Sequence, residues 1–72
     1  MKQTERILKY MHDFGSITQL EAIRDLGCMR LAARIDDLKR EGHMICSDTE
    51  TSKNRYGENT RYARYRLVDD ER

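Results

Sequence analysis

Leu26–Gly42, "LGCMRLAARIDDLKREG", is the stretch on which the fold turns. Steps of three and four residues return to nearly the same helical angle, so Cys28, Leu31, Ile35 and Leu38 share one side of a helix. Arg30, Ala33, Arg34 and Asp37 share the other. Gly27, just ahead, can take the positive φ of a tight turn between helices, and Gly42 ends the pattern. The spacing predicts a helix over Met29–Glu41 entered through a sharp turn.

Upstream, "SITQLEAIRDLG" carries a capping box in Thr18 and Glu21, with Ile17 placed as a hydrophobic staple toward Ala22. A short helix over Gln19–Leu26 follows, with Leu20, Ile23 and Leu26 expected as its inward stripe. Before it, "TERILKYMHDFG" sets Ile7, Leu8, Met11 and Phe14 at helical spacing, with Thr4 as N-cap, Glu5 in the first turn and Gly15 as the stop. That gives a first helix over Thr4–Phe14.

Downstream of Gly42 the period changes from helical to alternating. "HMICSDTE" and "TRYARYRLV" read as two antiparallel strands. Ala63, Tyr65 and Leu67 share one face of the second strand, while Tyr62, Arg64 and Arg66 share the other. Ile45, Tyr65 and Leu67 are expected to cover the helices. Between the strands, Thr51–Asn59 is polar, contains Gly57, and reads as a flexible loop with a mobile tip. The final "DDER" is expected to be a disordered acidic tail, which leaves residues 1–68 as one domain.

Three helices followed by a two-stranded hairpin is the order of a winged helix-turn-helix, an α+β fold. At 72 residues the chain holds one small core, and 38% hydrophobic residues suffice to build it. No apolar run approaches the roughly 20 residues of a membrane span, and "MKQTERILKY" lacks the apolar stretch of a signal peptide, so a cytoplasmic location is expected. Cys28 and Cys46 have no zinc-like spacing and are expected to be reduced, packed thiols. His12 and His43 lie on different elements, and the sequence shows no Ser-His-Asp order, phosphate loop or H-E-x-x-H motif. Neither catalysis nor a cofactor or metal is expected.

The net charge is only +1, yet residues 51–66 hold Lys53, Arg55, Arg61, Arg64 and Arg66 against Glu58 alone. A DNA-binding surface needs cations only where phosphates meet it, because neutralising them there releases counterions. Double-stranded DNA is the expected partner. Arg30 and Arg34, with Met29 and Ala33, are the candidates for base contact, and Arg40 for phosphate. Lys53, Asn54, Arg55 and Tyr56 are the candidates for the neighbouring minor groove or backbone, with Arg64 outward on the wing. Two structural alternatives stand beside this: Arg34 pairing within its helix to Asp36 or Asp37, and Arg30 anchoring the second helix through Asp25.

"GSITQLEAIRDLGCMRLAARIDDLKREGHMI", followed by "NRYG" and "ARYRL", resembles the small helix-turn-helix domain proteins of bacteriophages and prophages. L-G-x-M-R-L-A-A-R-I-x-D-L is the most specific part of the likeness. The resemblance implies a winged-helix fold and a role in controlling transcription or recombination in a phage or mobile element, and names no target. A single recognition helix reads few base pairs, so a homodimer is expected, through Tyr10, Met11 and Phe14 or through Met44. The low net charge leaves a rival open: a winged helix that docks on a host or phage protein.

Overall fold

The computed structural model describes residues 2–68. Helix α1 (Gln3–Phe14) begins two residues after Met1, and its N-cap is Lys2, not Thr4. Glu5 takes over the capping, accepting a hydrogen bond from the Lys2 backbone N–H at 2.9 Å, so Thr4 is already inside the first turn. Gly15 closes α1 at φ 90°, a left-handed conformation that a Cβ would disfavour.

A two-residue strand, β1 (Ile17–Thr18), comes next and was not legible as a separate element in the sequence. Thr18 then caps the second helix reciprocally with Glu21. The Glu21 N–H donates to Thr18 Oγ1 at 3.2 Å, and the Thr18 N–H donates to Glu21 Oε1 at 3.0 Å. This helix, α2, is one α-helical turn (Gln19–Glu21) running into a π-helical turn (Ala22–Leu26). The Cys28 N–H reaches back to the Ala22 carbonyl at 2.9 Å, and Gly27 supports the exit at φ 69°.

The face of α2 differs from the expected stripe. Ala22 is fully buried and Leu26 half-buried, whereas Leu20 and Ile23 are 70% and 40% exposed. The small Ala22 lets the short helix lie close to the core, and Leu20 and Ile23, one turn apart, point away together. A three-residue cluster ties α1 to α2: the Tyr10 hydroxyl donates to Asp25 at 2.6 Å, and Arg24 pairs with the same carboxylate at 2.9 Å. Asp25 is therefore occupied by Arg24 and Tyr10, and does not receive Arg30.

Helix α3 (Leu31–Arg40) starts two residues later than expected, which leaves Met29 and Arg30 in the turn ahead of it. Its inward row is the expected one: Leu31, Ile35 and Leu38 are buried, with Cys28 buried just before them. They join Ile7, Met11, Ile17, Ala22 and Ile45 in a single core, with Leu8, Tyr10, Leu26, Tyr65 and Leu67 packed at its margin.

Strands β2 (Ile45–Lys53) and β3 (Asn59–Leu67) form the hairpin, paired antiparallel from Ile45↔Leu67 to Lys53↔Asn59. On its other side β3 pairs with β1, Ile17 against Tyr65 and Thr18 against Arg64, so the sheet has the order β1-β3-β2. Nine-residue strands span about 30 Å, in a molecule whose longest dimension is 40 Å.

The strands run further than expected, and the loop shrinks to residues 54–58. That turn is closed by Asn54, whose Oδ1 accepts from the Tyr56 and Glu58 N–H groups at 2.9 and 3.0 Å while its Nδ2 donates to Glu58 at 3.1 Å. The turn is thus shorter than the expected loop, and its Tyr56 and Glu58 N–H groups are bonded to one side chain. Cys46 is exposed on β2, so the packed-thiol expectation holds for Cys28 only. The expected disordered tail, residues 69–72, lies outside the described residues. No helix among the described residues is long and apolar enough to cross a membrane.

Candidate nucleic-acid interface

The α2–α3 turn is held by a residue that sequence reasoning did not single out. Gln19, at the start of α2, donates from Nε2 to the Cys28 carbonyl and accepts at Oε1 from the Leu31 N–H, each at 2.8 Å. Arg30 is the N-cap of α3 and offers no side-chain hydrogen bond, so the first helical N–H of α3 is capped from another helix. One amide side chain therefore fixes where the turn carrying Met29 and Arg30 sits. Local spacing holds no signal for it, because the two bonds span nine and twelve residues.

On this turn Met29 is 72% exposed and Arg30 is exposed, with no ion pair to Arg30 among the described residues. Ala32 and Ala33 begin the outward face of α3 and add little bulk. Further along, the Asp37 carboxylate sits between two guanidinium groups, 3.1 Å from Arg34 Nε and 3.1 Å from Arg40. Only the Arg40 contact is an aligned hydrogen bond; Arg34 Nε has no hydrogen-bond partner among the described residues. Arg34 therefore takes the within-helix pairing that was its structural alternative, through charge alone. Arg34 and Asp37 are half-buried, whereas Arg40 is exposed, and a solvent-exposed pair such as Arg40–Asp37 contributes at most about 1 kcal/mol.

The hairpin sorts its cations by face. Arg64 and Arg66 lie on the face opposite Ile45, Tyr65 and Leu67, and each meets an acid of β2. Arg64 Nε lies 2.9 Å from Glu50, and Arg66 lies 2.7 Å from Asp48. Arg64 also donates to Ser16 at 2.9 Å and lies 3.6 Å from Glu21, so it clasps β2, β3 and the start of α2 together. The Arg64 guanidinium holds the Glu50 carboxyl below the usual carboxylate range, with the Tyr62 hydroxyl adding to the effect. Expected to point outward at DNA, Arg64 is instead half-buried in a four-residue clasp.

Lys53 and Arg61 occupy the other face, in alternation with Ala63, Tyr65 and Leu67, opposite Asn59 and Thr51. Lys53 donates to Asn59 at 3.1 Å and to the Gly57 carbonyl at 3.4 Å. At the tip Arg55 is exposed and Tyr56 is 82% exposed. Lys53, Arg55 and Arg61 have no acidic partner among the described residues. Asn54 is occupied within its own turn. The basic character of the hairpin thus resolves into a neutralised outer face and an uncompensated tip and inner face.

Among the described residues no three His, Cys, Asp or Glu side chains gather as metal ligands. Comparison with curated proteins and with solved structures returned no match. The sequence does match the winged helix-turn-helix domain over residues 2–70, nearly its whole length. Helix-turn-helix, sheet order and projecting hairpin agree with that match, and the chain belongs to the winged helix-turn-helix domain family.

Proposed function

We propose that the protein binds double-stranded DNA with sequence specificity and regulates transcription or recombination of a phage or mobile element in the cytoplasm. The observation that carries the reading is the sorting of charge. Arg64 and Arg66 are compensated by Glu50 and Asp48, while Arg30 ahead of α3 and Lys53, Arg55 and Arg61 on the wing have no acidic partner among the described residues. Those are the places where a helix-turn-helix meets a major groove and its wing meets the adjacent backbone.

In this reading Arg30 addresses a guanine edge, helped by Met29 and by the room that Ala33 leaves at the groove floor. Arg34 and Arg40 leave Asp37 for phosphate. Lys53, Arg55 and Arg61 bind backbone, and Tyr56 enters the neighbouring minor groove. Asn54 shapes the turn that presents them, and Arg64 anchors the wing. Phage or mobile-element context is supported by the resemblance of the segment between Gly15 and Ile45 to small phage and prophage domains. Pairing of two copies would supply the second half-site that specificity needs.

Selection from random duplexes at two salt concentrations tests this. An enriched motif that Arg30→Ala relaxes, with a salt slope reduced by about 1 in Arg55→Ala, is the expected result. Absence of binding at low salt overturns it. A second reading, docking on a host or phage protein, is favoured by a groove of about 240 Å³ between α2 and the hairpin, where Leu20 and Tyr62 are exposed. Capture of a defined partner that Leu20→Ser abolishes, without duplex binding, would establish it.

A further inference from the structure

One apolar surface lies apart from the turn and the wing. Along α1, Tyr10 and Phe14 stack with ring centroids 4.7 Å apart, and with Leu26 they line a groove of about 220 Å³ rimmed by Arg6, Lys9 and Asp13. Phe14 is 71% exposed. The polar atom of Tyr10 is already committed to Asp25, so its ring offers the groove only apolar surface. Neither aromatic needs much further ordering to serve as an anchor, since each is held by the other or by Asp25.

The rim charges identify the occupant. Arg6 has no ion pair among the described residues, while Asp13 carries a weak pair to Lys9 at 3.3 Å with both side chains largely in solvent. A surface holding an unpaired cation one turn before Tyr10 and an anion one turn after it is complementary to itself reversed. We infer that this face of α1 binds a second copy of the chain about a two-fold axis near Tyr10. In that antiparallel crossing, Arg6 of each copy lies opposite Phe14 of the other and meets its Asp13, and each Phe14 fills the groove beside the other copy's Leu26.

The contact is small. Helix α1 has 12 residues, about 18 Å of length, so the interface falls at the weak end of specific association, below about 1,000 Å². Dimerisation is therefore concentration-dependent. None of Met29, Arg30, Lys53, Arg55 or Arg61 lines the groove, so the pairing leaves the proposed DNA-contacting groups uncovered. Its use in reading a two-fold operator rests on the DNA-binding proposal; the self-association does not.

Analytical ultracentrifugation of the full chain over a wide concentration range, with variants of the exposed rim, is the test. The wild type should move toward the mass of two copies, and Phe14→Ser, Arg6→Glu and Asp13→Arg should each weaken association by about tenfold or more. The double variant Arg6→Glu with Asp13→Arg should recover most of that loss, which a merely unfolding effect would not allow. Circular dichroism melts check that each variant is folded. A wild type fixed at the monomer mass, or charge reversals that the double variant fails to rescue, would overturn the proposal. A dimer that binds no duplex supports this surface and refutes the DNA reading, whereas a duplex-binding protein that stays monomeric does the reverse.

Discussion

Replacing Gln19 by Ala removes the two hydrogen bonds that fasten α3 to the start of α2. An intramolecular hydrogen bond contributes about 1 kcal/mol net in mutational series, and a buried donor left without a partner costs about 1–3 kcal/mol. Leu31 is fully buried and its N–H would lose its acceptor, whereas the Cys28 carbonyl keeps a second lone pair for water. The expected loss is about 2–3 kcal/mol, a large share of the stability of a domain this small. At roughly 4–8 °C per kcal/mol, the melting temperature should fall by at least about 8 °C. Gln19→Glu retains an acceptor for the Leu31 N–H but sets an acceptor-only oxygen against the Cys28 carbonyl, so it should keep the protection of the Leu31 amide while losing the second bond. Urea titration measures the stability, and amide hydrogen exchange at Leu31 reports the cap itself. A loss below about 0.5 kcal/mol in Gln19→Ala, or unchanged exchange at Leu31, would refute the argument that this side chain holds the turn.

Three further outcomes are expected. Gly27→Ala should cost about 1–2 kcal/mol by thermal melting, because the residue sits at φ 69° while a Cβ there meets nothing within 4 Å, so the penalty is conformational. Carbon NMR titration should find the Glu50 carboxyl below the ordinary glutamate range and returning toward it in Arg64→Ala; since the folded value is the lower one, its stabilisation is present above the unfolded value and is lost as pH falls through the folded one. The Tyr10 hydroxyl, bonded to the Asp25 carboxylate, should ionise above the ordinary tyrosine range and come down in Asp25→Ala, as read by phenolate absorbance. Because the folded value is the higher, that contribution is complete below the unfolded value and is lost as pH rises through the folded one.

Sequence periodicity located what depends on near neighbours. The α3 core row, the Thr18–Glu21 capping box and the Gly15 and Gly27 exits are set by residues within one helical turn, and they stand where their spacing put them. What escaped depends on distant partners. Strand β1 is two residues long and exists because β3, more than forty residues away, pairs with it. The exposure of Leu20 and Ile23 follows from a π-helical turn and from Ala22 taking the core-facing place, which apolar spacing alone does not reveal. Arg64 reads as free because the acids that hold it lie on β2 and α2; Asp48 and Glu50 fall within the expected first strand, but only the register against β3 sets these two acids beside two arginines on one face. Of the candidate site, Arg30 and the wing-tip cations were readable as charges, but their freedom from acidic partners was visible only in three dimensions.

The turn that Asn54 closes bears on how fast and at what thermal signature a ligand would be met. A wing tip whose amide already satisfies the Tyr56 and Glu58 N–H groups has little conformational entropy left to surrender on contact. Encounter should then be governed by diffusion and long-range charge, with rates that fall steeply as ionic strength rises. Titration calorimetry should correspondingly show a small heat-capacity change, set by the surface covered and without the large increment that accompanies folding of a segment upon binding.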